Sequence, residues 1–199
     1  MTIGELLTRI RKSYIESFER RLAKLRTEHA GRLVPEPAYS LENGEVARTG
    51  SLKLPARGDL CLLIEDQVQR TFQLDAEEAL TFEPLAFVWD QRLDVDLHPF
   101  TWDWCELRFQ APADASADPL ARWFRRWFDE EDQRAPSNAF PGGVVHSMSE
   151  PVRDDSTWSV VIDLGSARLK AFEELFDALL EMSATHLVIG RPGGPQRAA

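Results

Sequence analysis

The sequence predicts an α+β protein: a mixed, mainly antiparallel sheet covered by two helices and preceded by a long N-terminal amphipathic helix. Three observations carry this reading. Apolar residues recur every three or four positions in three segments, and short runs rich in Leu, Val, Phe and Trp, bounded by turn-like or acidic breaks, fill the space between them. Two stretches, 93–131 and 144–182, also repeat the order strand, strand, helix. Their helical faces align at a constant offset, Leu120 with Phe172, Trp123 with Leu175 and Phe124 with Phe176, the pattern of a duplicated ββα unit.

The first helix is expected over 3–28, where Ile3, Leu7, Ile10, Tyr14, Phe18, Leu22 and Leu25 form one stripe. Thr2 and Glu5 make a T-x-x-E capping box, and Gly31 is a stop signal. At 1.5 Å per residue such a helix runs about 39 Å, longer than a small sheet can cover, so part of the stripe could seat a second copy of the chain. Residues 35–58, with Pro35, Pro37, Pro55, Gly44, Gly50 and Gly58, read as an irregular connector. Strand-like runs follow at 60–65, 68–74, 82–89, 92–98 and 102–110.

Asp118-Pro119 places an N-cap before a proline at the first helical position, and Leu120, Trp123, Phe124, Trp127 and Phe128 share the buried face. A turn-like stretch at 135–143 leads to strands near 144–149 and 158–164, a helix over 168–182 capped by Ser166, and a last strand at 186–190. Strand, helix, strand over 158–190 predicts a right-handed crossover between parallel strands. Four regions result: a helix over 1–34, the connector over 35–58, an α+β domain over 59–190, and a mobile Pro/Gly tail over 191–199.

A chain of 199 residues, 43% hydrophobic and 28% charged, buries enough surface to fold without a metal or disulfide, so no cofactor is expected on stability grounds. Apolar runs such as Leu60-Cys61-Leu62-Leu63-Ile64 fall far short of the roughly 20 residues that cross a bilayer, and the charged N-terminal segment lacks a signal-peptide core. The expected location is the cytoplasm, away from membranes. Cys61 and Cys105, the two cysteines, sit in strand-type runs and read as reduced, buried thiols. The net charge of −10 is uneven: residues 1–34 carry 8 basic and 4 acidic side chains, which leaves 15 basic against 29 acidic in the rest. A body at −14 repels phosphates and speaks against nucleic acid, while a basic protein partner is favoured.

The leading functional expectation is therefore a non-catalytic interaction protein, an adaptor or inhibitor, that meets its partner through Asp129, Glu130, Glu131 and Asp132. These acids follow a helix C-terminus, where they oppose the macrodipole. Two alternatives accompany it. Asp94, Asp96 and His98 alternate along a strand, so a divalent metal could take all three from one face, although the same alternation describes a solvated face. Trp102, Trp104, Trp123 and Trp127 could line a pocket for a small molecule, with Trp102 and Trp104 on one strand face, or simply fill the core. His146, Ser147, Asp154 and Asp155 supply the residue types of a nucleophilic triad, but neighbours on a strand point to opposite faces. His29 and His186 read as structural or solvated. No phosphate-binding loop, dinucleotide fingerprint, paired C-x-x-C or nucleophile elbow occurs.

Overall fold

In a computed structural model that describes residues 2–74, 79–134 and 140–193, the first helix, α1 (Ile3–Glu28), opens on the capping box read from the sequence. The Thr2 amide donates to Glu5 Oε2 at 2.7 Å, and the Glu5 amide donates to Thr2 Oγ1 at 3.2 Å. Thr2→Ala removes one of these bonds, and urea unfolding is expected to report a loss of about 1 kcal/mol. Leu6, Leu7, Ile10, Tyr14, Phe18, Leu22 and Leu25 are buried within the chain, and α1 packs against β1 (Arg32–Pro35) and α3 (Leu169–Glu181). The apolar stripe that could have seated a second copy is thus consumed by the protein's own core.

The connector expected over 35–58 is partly ordered into strands. β2 (Arg48–Thr49) pairs with β3 (Leu54–Pro55), and isolated bridges join Ala38 to Arg57 and Ser40 to Val46. β1 pairs with β4 (Leu60–Ile64), which pairs in turn with β5 (Gln67–Phe72), forming a small antiparallel sheet. The larger sheet contains β6 (Leu85–Trp89), β7 (Leu93–Leu97), β8 (Cys105–Gln110), β9 (Ser147–Met148), β10 (Val152–Asp154), β11 (Thr157–Asp163) and β12 (His186–Gly190). Its order is β10-β11-β8-β12-β7-β6, with β9 also on β11. Every pairing is antiparallel except β12 with β7. This is the mixed, mainly antiparallel sheet expected.

Two topological details correct the sequence reading. β11 and β12 do run parallel on either side of α3, but antiparallel β8 lies between them. The repeat of strand, strand, helix holds over 93–131, but three strands, β9, β10 and β11, precede α3 in the second stretch, and the pairing differs too: β7 and β8 are separated by β12, whereas β9 and β10 both pair with β11. One face of the sheet, with Val95, Leu107, Phe109, Val160, Ile162 and Leu187, packs into a single core with α2 (Asp118–Phe128) and α3. The core includes Phe124, Phe172, Phe176 and Leu179, and also takes in α1.

Helix caps differ by a residue or two from expectation. α2 has Ala117 at its N-cap, and the Ser116 hydroxyl accepts from the Asp118 amide at 3.1 Å. α3 has Arg168 there, because the expected cap, Ser166, turns its hydroxyl to the amides of Gly143 and Val144 at 2.8 and 3.4 Å. Cys61 and Cys105 are both buried and unbridged. Among the described residues no helix is long and apolar enough to cross a membrane. Part of the turn expected at 135–143 and most of the tail expected at 191–199 lie outside the described residues.

Candidate metal centre

Where the small sheet meets the large one, four segments converge through their backbones. The Glu36 amide, just past β1, donates to the Asp59 carbonyl at 2.7 Å. The Arg57 amide donates to the His146 carbonyl at 2.8 Å, and the His146 amide donates to the Asp163 carbonyl at 3.0 Å. In sequence, these bonds link Glu36 to Asp163, segments far apart in the chain. Glu36 holds φ +52, a left-handed conformation that is costly for a side chain longer than Asn or Asp and concentrates at functional sites.

His146 is fully buried at the centre. Its Nε2 lies 2.8 Å from Glu36 Oε1, and Glu36 is itself saturated: Oε1 accepts from the Ser166 amide at 3.0 Å and Oε2 from the Gly142 amide at 2.8 Å. A carboxylate so placed fixes the proton on Nε2 and turns Nδ1 toward the other side of the ring. There Nδ1 meets Asp59 Oδ1 at 3.2 Å and Asp163 Oδ2 at 3.4 Å, aligned for a hydrogen bond with neither. Each of these carboxylates is anchored through its other oxygen. Asp59 Oδ2 accepts from the Leu74 amide at 2.7 Å, and Asp163 Oδ1 accepts from the Gly165 amide at 2.9 Å. The Tyr14 hydroxyl reaches Asp59 Oδ1 at 3.4 Å.

The electrostatics follow from this crowding. Burial alone would lower the His146 pKa, but the charge of Asp163, the close approach of the Asp163 and Asp59 carboxylates and the bond to Glu36 hold it well above the usual imidazole range. Burial would raise Glu36, yet its bonds to His146, Ser166 and Gly142 keep it below the usual carboxylate range. Burial and the charges of Asp163, Asp59 and Glu36 push the Tyr14 phenol well up. The pocket strongly favours a positive charge at Nδ1, as either a proton or a cation.

Among the described residues, Asp59, His146 and Asp163 are the set whose ligand atoms all fall within 4.8 Å of one another. Metal–ligand bonds of about 2.1 Å put neighbouring donors about 3.0 Å apart at right angles and about 3.4 Å apart at tetrahedral angles. The two distances from Nδ1 match the edges of such a polyhedron. Asp59 and Asp163 also line a cleft of about 440 Å³, together with Asp103, Trp104, Leu54, Pro55, Leu74, Met148 and Val161. Asp163 is the partly exposed member of the set.

The residues singled out from the sequence lie elsewhere, with one exception. On β7, Asp94 is exposed, and Asp96 faces His186, with Oδ2 3.2 Å from Nε2; His98 lies beyond the strand end, beside a separate cavity with Glu106 and Arg108. The four tryptophans do not form one wall. Residues 101–104 make a tight turn closed by the Trp104 amide on the Thr101 carbonyl at 3.1 Å, not a strand, so the two indoles part. Trp102 is buried against Phe172 with centroids 5.6 Å apart, whereas Trp104 lines the cleft. Trp123 donates to the Ala171 carbonyl at 2.8 Å and Trp127 to Glu174 Oε2 at 3.0 Å, between α2 and α3.

The acidic run after α2 is drawn into its own chain. Asp132 pairs with Arg57 at 2.8 Å, Glu130 with Arg48 at 2.6 Å, and Asp129 Oδ2 accepts from the Arg134 amide at 2.8 Å. Glu131 accepts from Gln133 at 2.5 Å. Asp154 and Asp155, by contrast, lie on an exposed hairpin that has no part in the His146 cluster. Comparison with protein-family models, curated proteins and solved structures finds no match to this chain. A functional reading is therefore drawn from the geometry of the chain itself.

Proposed function

We propose that the chain is a metal-dependent hydrolytic enzyme whose divalent ion is held by His146 Nδ1, Asp59 and Asp163 at the floor of the cleft. One observation carries this reading. A buried imidazole nitrogen faces two carboxylate oxygens at 3.2 and 3.4 Å without an aligned hydrogen bond, while its opposite nitrogen is fixed by Glu36. That is the carboxylate–histidine–metal arrangement, in which the outer carboxylate sets the tautomer and raises the basicity of the ligand.

One nitrogen and two carboxylate donors suit zinc, manganese or ferrous iron. Three protein ligands leave coordination positions open for water, and a bound divalent ion brings the pKa of that water near neutrality. Asp163, the partly exposed carboxylate, lines the cleft, so a water activated by such an ion would be reached from that side. The interaction reading has less support, because a basic partner would have to compete with the bonds that Asp129, Glu130 and Asp132 already make.

Zn²⁺ or Mn²⁺ at a hundred times its Kd is expected to raise the Tm by about 5–10 °C, reversibly with EDTA, as measured by calorimetry. The metal-loaded chain is also expected to hydrolyse simple activated esters, and His146→Gln to lose that turnover. An unchanged Tm with both ions would overturn the proposal.

A further inference from the structure

A second cavity, of about 350 Å³, opens beside β8 and β12 and shares no lining residue with the cleft of the metal centre. We infer that it binds a small organic anion, a single carboxylate on a short apolar or aromatic body, with the charge held between Arg108 and Arg191. Its floor lies on the sheet face turned away from α2 and α3. Glu106 and Arg108 alternate there with the buried Cys105, Leu107 and Phe109, and Val188 and Gly190 alternate with the buried Leu187 and Ile189. Gly190 is the register partner of Glu106, and Val188 that of Arg108. Past the end of β7, the His98 amide donates to the Ile189 carbonyl at 2.8 Å, which ties the wall at His98 and Pro99 to β12.

The charges of the lining decide the class of ligand. Glu106 is its one carboxylate among the described residues, and it is already engaged: its Oε2 accepts from Arg108 Nη2 at 2.7 Å, with both side chains partly buried. That bond neutralises Glu106 and leaves the other N–H donors of the Arg108 guanidinium for a ligand. The Arg191 guanidinium and the His98 ring make no hydrogen bond or ion pair among the described residues. Arg108 and Glu106 cancel, so Arg191 gives the cavity a net positive charge in a chain whose own net charge is −10. A carboxylate gains charge-assisted bonds there, whereas an ammonium group would lose its hydration beside two guanidiniums. One net charge is balanced by a monoanion. Phe82, Pro99 and Val188 offer apolar contact for the body of the ligand, and the volume suits a small molecule.

The test is calorimetric titration of the full chain, without added metal, using 3-phenylpropionate, its cationic counterpart phenethylamine and its dianionic counterpart phenethyl phosphate. 3-Phenylpropionate is expected to bind in preference to both. Arg191→Gln, at an exposed position beyond the end of β12, is expected to weaken it about tenfold. Glu106→Gln releases Arg108 and adds a positive charge to the cavity, so it is expected to tighten binding severalfold. Gly190→Leu fills the floor, where a Cβ would meet only His98 Cβ, at 3.7 Å, and is expected to abolish binding with near-UV circular dichroism unchanged. Equal or tighter binding of phenethylamine would overturn the proposal, and tighter binding of phenethyl phosphate would overturn the choice of a singly charged head. Carboxylate binding indifferent to both Arg191→Gln and Glu106→Gln, or no binding of 3-phenylpropionate at all, would overturn the site. Each of these results leaves the metal centre standing, since the two cavities have no residue in common.

Discussion

Gly165→Ala is expected to lower stability by about 3–5 kcal/mol, because two independent penalties fall on one residue. Gly165 holds φ +50, which an L side chain adopts only at a cost. A Cβ there would also lie 2.3 Å from His146 Cδ2 and 2.7 Å from the Val144 carbonyl oxygen. Neither neighbour can yield: the ring is held by Glu36, and the carbonyl belongs to a backbone segment tied down by the Val145 and His146 amides, which donate to the Trp127 and Asp163 carbonyls. Gly44→Ala is the control, since that glycine holds φ +84 with open space around it. Calorimetry should place Gly44→Ala within about 1–2 kcal/mol of the parent. Equal losses in the two variants would mean that the His146 ring is not rigidly seated. In Gly165→Ala the displaced ring is also expected to weaken metal binding.

Arg57→Ala is expected to cost a similar amount, about 3–5 kcal/mol in urea unfolding, for a different reason. The guanidinium is 3% exposed and donates to the carbonyls of Phe128, Glu36 and Asp129 at 3.0, 2.7 and 2.7 Å, and to Asp132 Oδ1 at 2.8 Å. It lies over the Phe128 ring, 4.7 Å from the centroid. Removing it strands buried acceptors at the C-terminus of α2, where the last carbonyls of the helix have no intrahelical donors. Arg57→Lys keeps the charge but not the planar fork, so it should recover only part of the loss. Full recovery by lysine would show that charge, and not the set of directed bonds, is what holds α2 to the Glu36 segment.

Periodicity made the secondary structure legible and left the centre hidden. α1, α2, α3 and β12 fall within two residues of where the apolar spacing puts them, since each buries one regular stripe. The irregular connector concealed more. Glu36 sits between two prolines, and Arg57 and Asp59 flank a glycine, so no period marks any of the three as buried, although all are. Their burial is satisfied by partners from distant segments, which a local pattern cannot reveal.

His146 was legible as a residue type for chemistry but paired with the wrong company. Its partners are Glu36, Asp59 and Asp163 and not Ser147 or Asp154. The available signal was a polar residue closing an apolar run, as in Val144-Val145-His146 and Val161-Ile162-Asp163. The alternation of Asp94, Asp96 and His98 is more conspicuous and describes a strand with one face in the core, where Leu93, Val95 and Leu97 are buried.

The measurement closest to the central claim is metal stoichiometry by equilibrium dialysis and elemental analysis, on the parent chain and on Asp163→Asn. Asp163 is the partly exposed carboxylate of the proposed set, so this variant is expected to keep the fold, which circular dichroism would verify. The account predicts one Zn²⁺ or Mn²⁺ per parent chain and at least about tenfold weaker uptake by Asp163→Asn. A folded parent chain that takes up neither ion, or an Asp163→Asn chain that binds as tightly as the parent, would contradict it.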